Sequence, residues 1–219
     1  MTTIGIIGAG EVGSQIARAA IANGYTVVIA NSRGPETLTR LIADLGPSAR
    51  AATPAQAATA GDFAVIAAPL KLVNTVPVEE LADKILLDTN NYFTWRDGYF
   101  PAIHSGEKTV HQLRQEQLPK SRVVTAFTHI QAAILLRRSR AAGAPDRLAL
   151  AASSDFPEAI ELVTRLNDQF GFDTVDNGQL SESWRFGPGT AAWRRSEQGG
   201  QGREELLRNL KAAARPRPE

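Results

Sequence analysis

The chain opens on a short apolar run, Ile4, Ile6 and Ile7, of the kind that forms a strand buried on both faces. Ile16, Ala17, Ala20 and Ile21 then recur at helical spacing, and Asn23-Gly24 supplies a helix stop. A second buried strand follows from Thr26 to Ala30. The alternation continues with a helix beginning at Pro35, whose stripe is Leu38, Leu41, Ile42 and Leu45, ended by Gly46-Pro47. Next come a short strand over 49–52, an Ala-rich helix over 54–60 and a strand over 62–67. Helical segments over 70–76 and 78–81 are interrupted by Pro77, and a fifth strand covers 85–88. A helix over 109–117 is stopped by Pro119, and 122–127 is a sixth strand. Beyond it the pattern predicts a helix over 132–138, a strand over 147–153, a helix over 157–170 capped by Gly171 and a strand over 172–175. The turn Asp176-Asn177-Gly178 leads into 180–185, and a last helix spans 203–214. Strands alternating with helices in this way predict an α/β fold, a Rossmann-type doubly wound and mostly parallel sheet.

The first turn carries chemistry. Gly8-Ala9-Gly10-Glu11-Val12-Gly13 fits G-x-G-x-x-G and lies between a predicted strand and a predicted helix. Gly8 permits the sharp turn, Gly10 lets a pyrophosphate approach the backbone, and Gly13 lets helix and strand pack closely. The helix N-terminus offers unpaired N–H groups to the phosphates. The alternative is a glycine turn that binds nothing. An NAD site usually has Asp or Glu at the end of the second strand. This chain has Asn31-Ser32-Arg33 instead, a hydroxyl and a guanidinium suited to a 2′-phosphate, so NADP(H) is the expected cofactor. A solvated turn with a surface arginine is the competing reading.

Composition narrows the classes. The 219 residues carry a net charge of +1, which gives no broad electrostatic case for nucleic acid or an anionic membrane. Cysteine is absent, which excludes disulfides and thiolate catalysis. No run approaches the ~20 apolar residues of a membrane span. A strand that starts at residue 4 leaves no room for a signal peptide, so a cytoplasmic soluble protein is expected. No pair of histidines has metal-site spacing.

In a doubly wound sheet, ligands lie beyond the carboxyl ends of the strands. Ala67, Ala68 and Pro69 end the fourth strand with small side chains that leave space for a nicotinamide ribose, unless they form a plain strand-to-helix turn. Thr89-Asn90-Asn91 puts amides near the nicotinamide position, and the aromatic stretch from Tyr92 to Phe100 can line a flat site or an oligomer contact. Thr128 and His129 lie past the sixth strand. His129 either meets a ring or caps the next helix; His104 and His111 read as surface or loop residues. Arg137, Arg138 and Arg140 form a basic cluster, read as a solvated face before an attractor of an acidic acceptor tail.

With IGIIGAGEVG, NSRGPETL, LLDTNNY, VVTAFTHI, GFDTVDNGQL and SESWRFGPGTAAW in view, the chain resembles the NADPH-dependent F420 reductases, also called NADP oxidoreductases, coenzyme F420-dependent, over residues 3 to 193. The resemblance implies hydride transfer between NADP(H) and a flavin-like ring, often in a homodimer. It implies a Rossmann domain over 1–127 and a small C-terminal α/β lobe over 128–198 covering the cofactor face. Gly199-Gly200-Gln201-Gly202 reads as a flexible joint before a terminal helix, with a disordered tail over 215–218. Gly8, Gly10 and Gly13 match the phosphate turn, and Ser32 and Arg33 the 2′-phosphate pair. Family members carry Asn-Thr or His-Thr where this chain has Thr128-His129. The small-molecule acceptor therefore stays open between deazaflavin F420, a flavin and another compound. A non-catalytic NADP(H) redox sensor and a reductase of a small imine or carbonyl are the alternatives. No Tyr-x-x-x-Lys pair is present, and no lysine lies between Lys120 and Lys211, as related dehydrogenase chemistries would require.

Overall fold

A computed structural model describes residues 1–215. Strands β1 (Thr3–Ile7), β2 (Thr26–Ala30), β3 (Ala49–Ala52), β4 (Phe63–Ile66), β5 (Ile85–Asp88) and β6 (Arg122–Thr125) form one parallel sheet in the order β3-β2-β1-β4-β5-β6. The order reverses between β1 and β4, so their carboxyl ends open a crevice. The connecting helices are α1 (Glu11–Ala22), α2 (Thr39–Leu45), α3 (Pro54–Ala60), the short α4 (Thr94–Asp97) and α5 (Pro101–His104), and α6 (Val110–Gln117). Thr53 with Gln56 and Thr109 with Gln112 form capping boxes at α3 and α6, which fixes where these helices begin.

The rest of the chain builds a second layer. Parallel β7 (Ala149–Ala152) and β8 (Asp173–Asp176) are joined by α7 (Pro157–Gln169), followed by α8 (Ala191–Glu197) and α9 (Arg203–Ala212). This lobe has a core of its own and also shares one with the sheet. Ala159, Val163 and Leu166 of α7, with Phe170 just past its end, pack in the same cluster as Ile4, Val65, Leu87 and Phe127. The lobe is also stitched to β6: Thr125 N–H donates to Ser153 O at 3.0 Å, and Ser153 N–H donates to Thr125 Oγ1 at 2.8 Å. Buried Arg147 donates to Asp168 Oδ1 at 2.6 Å and to Phe172 O at 2.9 Å, tying the end of α7 to the start of β8.

The structure changes several expectations. Residues 70–75 form a 3₁₀ helix, not an α-helix, and 78–83 are turns. The expected helix over 132–138 shrinks to a 3₁₀ turn, Ala132–Ile134. Only Leu135 there is fully buried, too little apolar surface to offset helix nucleation. Residues 180–186 are likewise 3₁₀. The expected flexible joint is tied down. Ala149 N–H donates to Gln201 O at 2.9 Å, and buried Gln201 donates to Ala192 O at 3.0 Å. Gly199 and Gly200 both have φ of +97°, and a Cβ on Gly200 would lie 2.6 Å from Leu148, so these glycines serve a tight turn. The α9 residues Leu206 and Leu210 then close a core with Val175 and Phe186. Of the expected disordered tail, 216–218 lies outside the described residues. No helix among the described residues is long and apolar enough to cross a membrane.

Candidate functional site

The turn after β1 is set by contacts that exclude side chains. Gly8 has φ of +114°, and a Cβ there would lie 2.4 Å from Ala67 O. A Cβ on Gly13 would lie 1.8 Å from Gly8 O. Gly10 differs: a Cβ there would meet nothing within 4 Å, because the position opens onto a cavity. Gly10 is the N-cap of α1 and makes no side-chain cap, so the first-turn N–H groups are left for a ligand. Gly8 N–H donates to Ala30 O at 2.8 Å, which sets the end of β2 directly beside this turn. There Asn31 Oδ1 accepts from Arg33 N–H at 3.0 Å, and Asn31 Nδ2 donates to Thr37 Oγ1 at 2.8 Å. This shapes the loop and leaves Ser32 and Arg33 exposed, beyond the cavity wall.

The cavity holds about 560 Å³. Gly10, Glu11, Val12, Ala67, Ala68, Pro69 and Asn90 line it from the tips of the sheet strands, and Thr128 and Trp193 line it from beyond β6. The small side chains after β4 thus do leave room. Asn90 is held from beneath by Asp88, which has no exposed surface. Asp88 Oδ1 accepts from Asn90 Nδ2 at 2.6 Å and from Asn90 N–H at 3.3 Å. Asp88 Oδ2 lies 3.0 Å from His111 Nδ1 and 3.6 Å from Arg114 Nε. Burial works to raise the Asp88 pKa, but the Arg114 charge and the His111 and Asn90 hydrogen bonds outweigh it and hold the carboxyl well below the usual range. The bond to Asp88 uses one of the two Asn90 Nδ2 hydrogens and fixes the amide, whose Oδ1 is its acceptor.

A neighbouring link joins the two strand tips: Asn91 Nδ2 donates to Thr128 O at 2.7 Å. Phe127, just before, adopts φ of +55°, a left-handed conformation that costs a non-glycine residue energy, and its ring stacks on Phe170 at 5.7 Å. Thr128 lines the cavity, and its buried Oγ1 has no hydrogen-bond partner among the described residues. Arg96, also on the cavity, donates to buried Asp97 at 2.7 Å. Burial of Asp97 is again outweighed, here by Arg96 and the Phe93 N–H, and its pKa is lowered.

Two histidine expectations are corrected. His129 does not face the cavity. Its Nε2 accepts from Ala151 N–H at 2.7 Å and its ring lies 5.4 Å from Phe186, inside the small lobe. Burial pushes its pKa down to about 4, so it is neutral at pH 7. His111 is not a surface residue but the buried partner of Asp88. Nothing in the sequence links Asp88 to a histidine 23 residues later; only a one-turn pairing of His111 with Arg114 on the same helix hinted at a shared face. Of the aromatic stretch, Phe93 lines the cavity, while Trp95 and Tyr99 are exposed. Within the basic cluster, Arg140 pairs with Asp146 at 2.8 Å. No cluster of metal-ligating side chains occurs among the described residues.

Comparison with known proteins agrees with this geometry. Residues 3–92 match the family described as NADP oxidoreductase coenzyme F420-dependent. The crystal structure of the hypothetical protein SMa0349 from Sinorhizobium meliloti is 30% identical; the match covers 83% of this chain and 87% of that one, with a TM-score of 0.68. A protein from Arthrobacter sp. FB24, provisionally described as an F420-dependent NADP-reductase, is 23% identical and shares the fold with a TM-score of 0.70, over 84% of this chain and 87% of its own. The curated relative YjhV of Escherichia coli (strain K12) is 39% identical over 51 residues, which span 23% of this chain and only 37% of that protein.

Proposed function

This chain belongs to the NADP oxidoreductase, coenzyme F420-dependent family, and we propose that it moves hydride between NADP(H) and a flavin-like ring, the deazaflavin F420 or a flavin. The observation that carries this reading is a single cavity reaching from the open position at Gly10 to Asn90 and Thr128. NADPH, when bound, supplies the hydride. The protein's part is to bind, orient and exclude water.

The backbone from Gly8 to Gly13 would hold the diphosphate, and Ser32 with Arg33 the 2′-phosphate. Ala67, Ala68 and Pro69 would border the ribose. Asn90 Oδ1 offers an acceptor and Thr128 Oγ1 a donor at the nicotinamide end. Phe93, Phe127 and Trp193 supply apolar walls that keep water from the reacting atoms. Hydride transfer between two flat rings asks mainly for alignment at about 3–3.5 Å. Reduction of an imine or carbonyl would call for a proton donor such as His129 or Tyr92, and neither lines this cavity.

The test follows NADPH absorbance with F420, FMN, FAD, ferric chelates and quinones, alongside calorimetric titration of NADPH. Turnover with a deazaflavin or flavin is the expected result. Tight NADPH binding without turnover on any acceptor would replace this reading with that of a redox sensor.

A further inference from the structure

A second cavity of about 640 Å³ lies behind the Asn90–Asn91 wall, between the Rossmann sheet side and the 3₁₀ segment 180–186 of the small lobe. We propose that it binds a planar aromatic anion, a ligand beyond the hydride-transfer reading above.

Shape and apolar character come first. Tyr92, Trp184 and Phe186 line the cavity, and its size falls in the range of small-ligand sites. Charge comes second. Among the described residues that line it there is no Asp or Glu, whereas the cations Lys108 and Arg215 both line it. The Lys108 charge is shared with Glu116 at 2.8 Å, so Arg215 is the stronger lure. Its guanidinium lies 5.3 Å above the Trp184 ring and donates to Gly106 O at 2.9 Å, which fixes the cation at the cavity while most of its five donors stay uncommitted among the described residues. Third, the same wall holds two buried donors, Ser183 Oγ and Trp184 Nε1, with no hydrogen-bond partner among the described residues. Buried polar groups are nearly always paired, so two orphans beside one cavity point to an acceptor-bearing ligand. The Trp184 ring already carries the Arg185 and Arg215 guanidinium groups at 4.6 and 5.3 Å, so a flat ring on the Tyr92 and Phe186 side of the cavity, with a carboxylate toward Arg215, meets all three features.

The test is calorimetric titration of the full chain with 2-naphthoate and with 2-naphthamide, which keeps the rings and removes the charge. The expected result is naphthoate binding at least about tenfold tighter than naphthamide, undiminished by saturating NADPH. Arg215→Ala should erase that preference and Trp184→Leu should weaken both probes, each with NADPH affinity unchanged. Absence of naphthoate binding, equal affinity for the two probes, or displacement of naphthoate by NADPH would overturn the proposal. If one variant loses NADPH binding through misfolding, the wild-type pair of titrations and the other variant still decide. Because NADPH is titrated separately, failure here leaves the hydride-transfer reading standing.

Discussion

A carboxylate with no exposed surface needs compensating donors, and Asp88 has them in Asn90, His111 and Arg114. Asp88→Asn would leave the Arg114 charge buried and unpaired, a loss of about 3–5 kcal/mol in urea denaturation at pH 7. The Asp88 pKa is lowered by folding, so its contribution is present above the unfolded value near ~3.9 and is lost as pH falls below it. His129 acts over a higher window. Folding lowers its pKa from 6.5 to about 4, so the unfolded chain takes up a proton that the folded chain refuses. Stability therefore falls as pH drops from 6.5 towards 4, by on the order of 3 kcal/mol. His129→Gln, whose amide oxygen can still accept from Ala151 N–H, should flatten the denaturation profile across that window. On the cofactor side, Arg33→Ala should weaken NADPH binding by about 1–3 kcal/mol in equilibrium titration while leaving NADH binding unchanged.

Among elements, the phosphate turn separates packing from binding. Gly13→Ala would force a Cβ into Gly8 O and cost about 3 kcal/mol of stability, with loss of the turn. Gly10→Ala meets no atom, so thermal unfolding should shift by no more than ~1 kcal/mol while NADPH affinity falls about tenfold or more. Unchanged affinity would mean that no phosphate approaches Gly10. This turn was legible in the sequence because strand, glycine spacing and helix are contiguous. So were β2 and β5, whose apolar runs fit no other element. The acceptor side was not, because it depends on contacts between distant residues. The backbone turns at Phe127, and Thr128 goes to the cavity while His129 goes to Ala151. No local pattern states which way each will face. The glycines at 199 and 200 misled for a related reason: composition suggests flexibility, but their positive φ serves a fixed turn beside Leu148.

For the whole molecule, the shared packing of α7 with the Rossmann sheet predicts one cooperative unfolding transition. Calorimetric and van't Hoff enthalpies should agree, and separate melting of the lobe would contradict the common core. The stitching of Ser153 and Ser154 onto β6 has one more consequence. It occupies the backbone groups along that margin of the sheet, with Val124 and Ser154 bridged in antiparallel fashion. Among the described residues no further strand borders the opposite margin, β3, which carries exposed Arg50. Continuing the six-stranded sheet from one molecule into another would thus start from the β3 side, where a charged side chain discourages such templating.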